Sequence, residues 1–98
     1  MSRRESYSDT FTGRLDQNIR DLLEEKDTSE GTKLRRILLK IIKNELTPRQ
    51  REIIMLYYFK RMDIASIADA LDVTPQSVST TMSRARLRIF RILQYYFD

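Results

Sequence analysis

The segment Asp63 to Arg86, D-I-A-S-I-A-D-A-L-D-V-T-P-Q-S-V-S-T-T-M-S-R-A-R, leaves this chain few ways to fold. Asp63 is a helix cap, and Ile64, Ile67, Ala68 and Leu71 fall on one helical face behind it. Asp72-Val73-Thr74 is then a tight turn, and aspartate tolerates a left-handed backbone better than most side chains. Thr74-Pro75 restarts a helix: threonine caps it, and proline takes the first helical position, where a missing N–H costs nothing. The small Ala68 lets two helices cross closely, Val73 plugs the core from the turn, and Val78 anchors the second helix from beneath. Together these features predict a helix-turn-helix.

The flanking sequence supplies the body. Thr47-Pro48 repeats the cap-plus-proline signature, and Gln50 stands where it can close a capping box. The helix predicted there runs to about Lys60 and buries Ile53, Ile54, Leu56 and Tyr57, with Tyr58 as a further candidate. Before it, Thr32 to Glu45 turns Leu34, Ile37, Leu38, Ile41 and Ile42 inward and Lys33, Arg35, Arg36, Lys40 and Lys43 outward, a solvated face. Leu15, Ile19, Leu22 and Leu23 make one apolar stripe within Arg14 to Lys26. The run D-T-S-E-G-T separates these two helices, with Gly31 as the bend. After Pro75, the spacing of Val78, Met82, Ala85, Ile89, Leu93 and Tyr96 carries a long helix to Tyr96. No stretch alternates as a strand would. The expectation is an all-α fold of about five helices, a helix-turn-helix without a wing. Residues 14–98 form its single domain, with the helix-turn-helix at 63–90 and a mobile tail at 1–13.

Composition removes several function classes. The chain has no cysteine and no histidine, so disulfides, thiolate metal sites and the commonest general base are absent together. Asp63, Asp69 and Asp72 read as a cap, a solvent residue and a turn residue, not as a metal site. No enzymatic activity, no cofactor and no metal are expected. No apolar run approaches the roughly 20 residues needed to cross a bilayer, and no secretory signal opens the sequence, which points to a cytoplasmic protein. Charge is unevenly placed. Residues 1–32 hold five basic and eight acidic side chains, and residues 33–98 hold thirteen basic and six acidic. A basic body behind an acidic leader suits a polyanionic partner.

The start of the last helix is the candidate contact surface. Gln76, Ser77, Ser79, Thr80 and Ser83 point outward, and short polar side chains let a helix backbone sit deep in the major groove of double-stranded DNA. Glutamine can pair bidentately with adenine, and serine or threonine with several bases. Arg84, Arg86, Arg88 and Arg91 follow, with charge for the flanking phosphates.

Three stretches resemble region 4 of bacterial sigma-70 family RNA polymerase sigma factors, the domain that reads the −35 promoter element. They are L-T-P-R-Q-R-E-I-I-M-L-Y-Y-F (Leu46 to Phe59), I-A-D-A-L-D-V-T (Ile67 to Thr74) and V-S-T-T-M-S-R-A-R (Val78 to Arg86). The resemblance extends over roughly Leu34 to Ile89. It implies a phosphate-facing role for Thr74 and base-facing roles for Pro75, Gln76, Ser77, Ser79 and Thr80, with Arg84 and Arg86 alongside the DNA backbone. It also implies that the helix from Thr47 to Lys60 docks on the flap of RNA polymerase. The chain departs from the family where glycine is usual, at Asp72 in the turn and Arg61 after the third helix. Ser77 and Ser79 are shorter than the family's usual residues there. Nothing in it resembles the sigma domain that grips core polymerase and melts the −10 element, so autonomous promoter opening is not expected.

The resemblance implies a transcription regulator that acts alone, as a homodimer or as half of a split sigma factor. The alternative is an interaction module that docks on polymerase or another regulator without touching DNA. The apolar C-terminus (Phe90, Ile92, Leu93, Tyr95, Tyr96, Phe97) is expected to pack partly on the Leu15–Leu23 stripe and to leave a surface for a dimer seam or polymerase. Asp16, Asp21, Glu24 and Glu25 are expected to shield the basic surface when DNA is absent.

Overall fold

The computed structural model describes residues 16–24 and 29–97, and every element among them is helical. In order they are α1 (16–24), α2 (Ser29–Asn44), α3 (Pro48–Ile54), a π-helical turn (Met55–Phe59), α4 (Ile64–Leu71) and α5 (Pro75–Phe97). The expected tail at 1–13, Leu15 and Glu25 lie outside the described residues.

Each start obeys the local chemistry of its sequence. Thr47 Oγ1 accepts from the Gln50 N–H and Gln50 Oε1 accepts from the Thr47 N–H, both at 3.1 Å, a complete capping box with Pro48 just inside. Asp63 accepts from the Ser66 N–H at 2.8 Å, and this hydrogen bond holds its carboxyl below the usual carboxylate range. Thr74 accepts from the Ser77 N–H at 3.1 Å.

The core lies where α2, α3, α4 and α5 converge. Leu38, Ile41 and Ile42 of α2, Ile53 and Ile54 of α3, Ile67 and Ala68 of α4, and Val78, Met82, Ala85 and Ile89 of α5 are all buried. Leu46, Tyr58, Leu93 and, from α1, Ile19 complete this cluster. Val78, Met82, Ala85, Ile89 and Leu93 are buried at the spacing read from the sequence, and the Tyr96 and Phe97 side chains lie outside the described residues. Leu34, Ile37, Leu56, Tyr57, Ile64 and Leu71 are only partly covered.

Two boundaries differ from expectation. Gly31 falls inside α2 and makes no bend. It sits in the first turn, where a glycine costs less than in a helix interior. The helix expected to run to Lys60 is α-helical only to Ile54. The next five residues widen into a π turn closed by Lys60 N–H to Met55 C=O at 3.2 Å, followed by Met62 N–H to Leu56 C=O at 3.1 Å. Tyr58, not Tyr57, becomes the buried tyrosine of the pair.

Candidate nucleic-acid interface

The turn between α4 and α5 is a Schellman closure. Asp72 adopts φ 59° and ψ 47°, its N–H reaches Asp69 C=O at 3.3 Å, and Val73 N–H reaches Ala68 C=O at 3.0 Å. Val73 packs against the core from the turn. This fixes the angle at which α5 leaves, and Val78, fully buried one turn in, locks its rotation.

With that rotation set, Gln76, Ser79, Thr80 and Ser83 stand at i, i+3, i+4 and i+7 and are all exposed, as are Thr74, Pro75, Ser77 and Arg84. Thr74 spends its oxygen on the helix cap but keeps a hydroxyl hydrogen to donate. No acidic residue occurs anywhere in α5, which also carries four arginines. Arg84 has no ion-pair or hydrogen-bond partner among the described residues. The N-terminal half of α5 is therefore an uncovered, anion-compatible edge.

Two of the arginines expected to flank that edge are elsewhere. Arg86 is 7% exposed, a buried charged residue. Its Nε donates to the Tyr58 hydroxyl at 3.0 Å and its Nη2 to Asp16 Oδ1 at 3.2 Å. A phosphate-facing role for Arg86 is corrected: the side chain leaves α5 on the α1 side, between Met82 and Ile89 of the core stripe. Arg88 stays half exposed but is engaged with the end of α2, through Nε to Glu45 C=O and Nη2 to Glu45 Oε1, both at 3.3 Å.

The Asp16 cluster escaped the sequence reading. Tyr58 donates its hydroxyl to Asp16 Oδ1 at 2.7 Å, and Arg20 Nε donates to Oδ2 at 3.0 Å. The guanidinium groups of Arg20 and Arg86 lie 5.0 and 5.4 Å from the Tyr57 ring centre, and the two tyrosine rings meet edge to face at 4.8 Å. Burial pushes the Asp16 carboxyl up, but the Tyr58 hydroxyl with Arg20 and Arg86 outweighs it and holds the group below its ordinary value. Burial and the Asp16 hydrogen bond both push the Tyr58 phenol above the usual tyrosine range. The acidic helix does meet basic side chains of the body, Arg86 through Asp16 and Arg61 through Glu24 at 3.8 Å. Neither is on the uncovered edge of α5. The one signal for this in the sequence was position. Arg86 stands four residues after Met82 and three before Ile89, inside the buried stripe.

A capped helix, a three-residue turn through a left-handed aspartate and a second helix with an open polar edge define a helix-turn-helix protein. The family model described as sigma-70, region 4 matches residues 33–89, more than half of the chain. The chain belongs to the sigma-70 region 4 family, whose domains have a DNA-binding, transcription-related function in general. Comparisons with curated proteins and with solved structures found no match. The matched residues run from α2 to Ile89 and leave α1 and the end of α5 outside. No helix among the described residues is long and apolar enough to cross a membrane.

Proposed function

We propose that this protein is a sequence-specific transcription regulator that sets the first half of α5 into the major groove of promoter DNA and acts in initiation with RNA polymerase. The observation that carries the reading is the open row Gln76, Ser79, Thr80 and Ser83, directly after the Asp72 turn, on a helix without a single acidic side chain. Gln76 with Ser77, Ser79 and Thr80 addresses base edges. Pro75 stands beside them toward the bases, while Thr74 and the helix N-terminus approach one phosphate ridge, with Ser83 and Arg84 toward the other. Arg88, paired with Glu45, contributes at the margin only by leaving that partner.

A second reading has its own support. Leu39, Met55, Phe59 and Tyr95 are large apolar side chains between 40% and 82% exposed. Met55 and Phe59 begin and end the π turn, and they offer a surface for docking on polymerase or another regulator without DNA.

Selection of bound duplexes from a random pool, with and without core polymerase, tests both. The first reading expects a recovered motif without polymerase. Recovery of no motif in either condition, beside capture by polymerase, would select the second.

A further inference from the structure

A cleft of about 290 Å3 opens between α1 and α5, away from the polar edge. Its apolar walls are Ile19 and Leu22 from α1 and Ile89, Phe90 and Leu93 from α5, and Arg86, Asn18, Asp21 and Gln94 also line it. Apolar area dominates this lining. Arg86 is more than nine-tenths buried, and its hydrogen bonds use Nε and Nη2, so Nη1 makes none among the described residues. No buried side-chain nitrogen or oxygen among the described residues lacks a partner. The Arg86 side chain keeps 8% of its surface open and borders a cavity whose other walls are mostly hydrocarbon. A donor so placed is completed by an acceptor oxygen, from water or from a ligand.

We propose that this cleft is a binding site for a compact, uncharged, mainly apolar molecule with one hydrogen-bond-accepting oxygen, which Arg86 receives. Size sets the scale. At about 30 Å3 per water in the liquid, the space matches a molecule of roughly ten to twelve heavy atoms, at the lower end of ligand pockets. Charge sets the class. Asp16 is shared by Arg86 and Arg20, and Asp21 also lines the cleft, so two carboxylates balance two guanidinium groups and no net positive charge is left for a carboxylate or phosphate. The same two helices would be tied together by the occupant, so binding holds α1 against α5. This site is separate from the DNA-reading row and does not depend on it.

The probe is 4-phenyl-2-butanone, with 3-methylbutylbenzene as the hydrocarbon of similar shape, added to the full chain and followed by methyl and guanidinium resonances. The ketone is expected to shift the methyls of Ile19, Leu22, Ile89 and Leu93 saturably and to move the Arg86 Nη signals, which the hydrocarbon leaves in place. Leu22→Trp, which fills the cleft, is expected to weaken ketone binding at least tenfold while the helical melting curve persists. Leu93→Phe serves if that variant does not fold. Absence of saturable shifts up to the solubility limit overturns the site, as do shifts centred on other residues or binding unchanged in the filled variant. Ketone binding that leaves the Arg86 nitrogens unmoved overturns the assigned class.

Discussion

Arg86 and Asp16 stand 70 positions apart in the chain and meet in a 3.2 Å ion pair, with the Tyr58 hydroxyl bonded to both. The pair joins α1, which lies outside the matched residues 33–89, to the helix that carries the polar edge. Asp16 is partly covered and takes three charged or phenolic donors at once. Hydrogen bonds to charged groups contribute about 1.5–3 kcal/mol each where well formed, and the solvent-facing side of Asp16 argues for the low end. Asp16→Ala is expected to lower stability by about 2 kcal/mol. Amide exchange should accelerate through residues 16–24, with protection retained at Ile53, Ile67 and Val78. Uniform acceleration across α3 to α5 would show that α1 is part of the cooperative core and not a docked element.

The same cluster sets an acid limit. A carboxylate held below its unfolded value contributes its stability in full above that value and loses it as the pH falls through the folded one. For Asp16 the ordinary value is 3.8 and the shift is downward. The stability advantage of the natural chain over Asp16→Asn is therefore expected to be constant from neutral pH to about pH 5 and to shrink below 3.8. Urea unfolding of both chains across that range checks it. An advantage that grows with acidity would mean that burial, which acts in the opposite sense, governs the group.

Much of this arrangement was legible in the chain because local rules and burial agree there. Thr47, Asp63 and Thr74 cap as their types and positions dictate, and Val78, Met82, Ala85 and Ile89 are buried at the spacing the sequence shows. The misreading of Arg86 has its cause in tertiary partnership between distant residues, whereas that of Gly31 is local. Nothing near Arg86 in the sequence announces Asp16, and an arginine in a run of four reads as solvent-facing until α1 is in place. The π turn at Met55–Phe59 was hidden for a similar reason. Its residues are compatible with α-helix, and Tyr58 within it bonds to Asp16 and Arg86 of distant helices.

The left-handed residues make a separable case. Arg61 at φ 58° and Asp72 at φ 59° both occupy conformations that cost an L-residue about 1–2 kcal/mol relative to glycine. Glycine returns about 0.5–1 kcal/mol of that through its freer unfolded state. Arg61 also pairs with Glu24 at 3.8 Å, but both side chains are largely exposed, and such pairs contribute little. Arg61→Gly is thus expected to stabilise slightly, by about 0.5 kcal/mol. Asp72→Val should destabilise by about 1–2 kcal/mol, since a β-branched side chain tolerates this region worst. Thermal melts of the two variants should move in opposite directions. Loss of stability in both would mean that Arg61 contributes through contacts that outweigh its backbone strain.

The three arginines of α5 near the polar edge should separate by salt dependence, because they differ in what already holds them. Each phosphate contact contributes about 0.9 to the slope of log affinity against log salt. Arg84 has no partner among the described residues to give up, so Arg84→Ala is expected to reduce the slope by about 0.9 and to weaken all sequences alike. Arg88 must leave Glu45 to reach a phosphate, so Arg88→Ala should reduce it by less. Arg86 is committed to Asp16 and Tyr58, and Arg86→Ala should lower the melting temperature while the slope, measured where the variant is folded, stays unchanged. Gln76→Ala belongs to a different class. Without a charge it should leave the slope intact and alter preference at one or two base pairs, each costing about 1–3 kcal/mol in discrimination. If Arg86→Ala, still folded, flattened the salt dependence as much as Arg84→Ala, then Arg86 would have to leave its buried cluster on binding. The α1 latch would in that case open whenever DNA is bound.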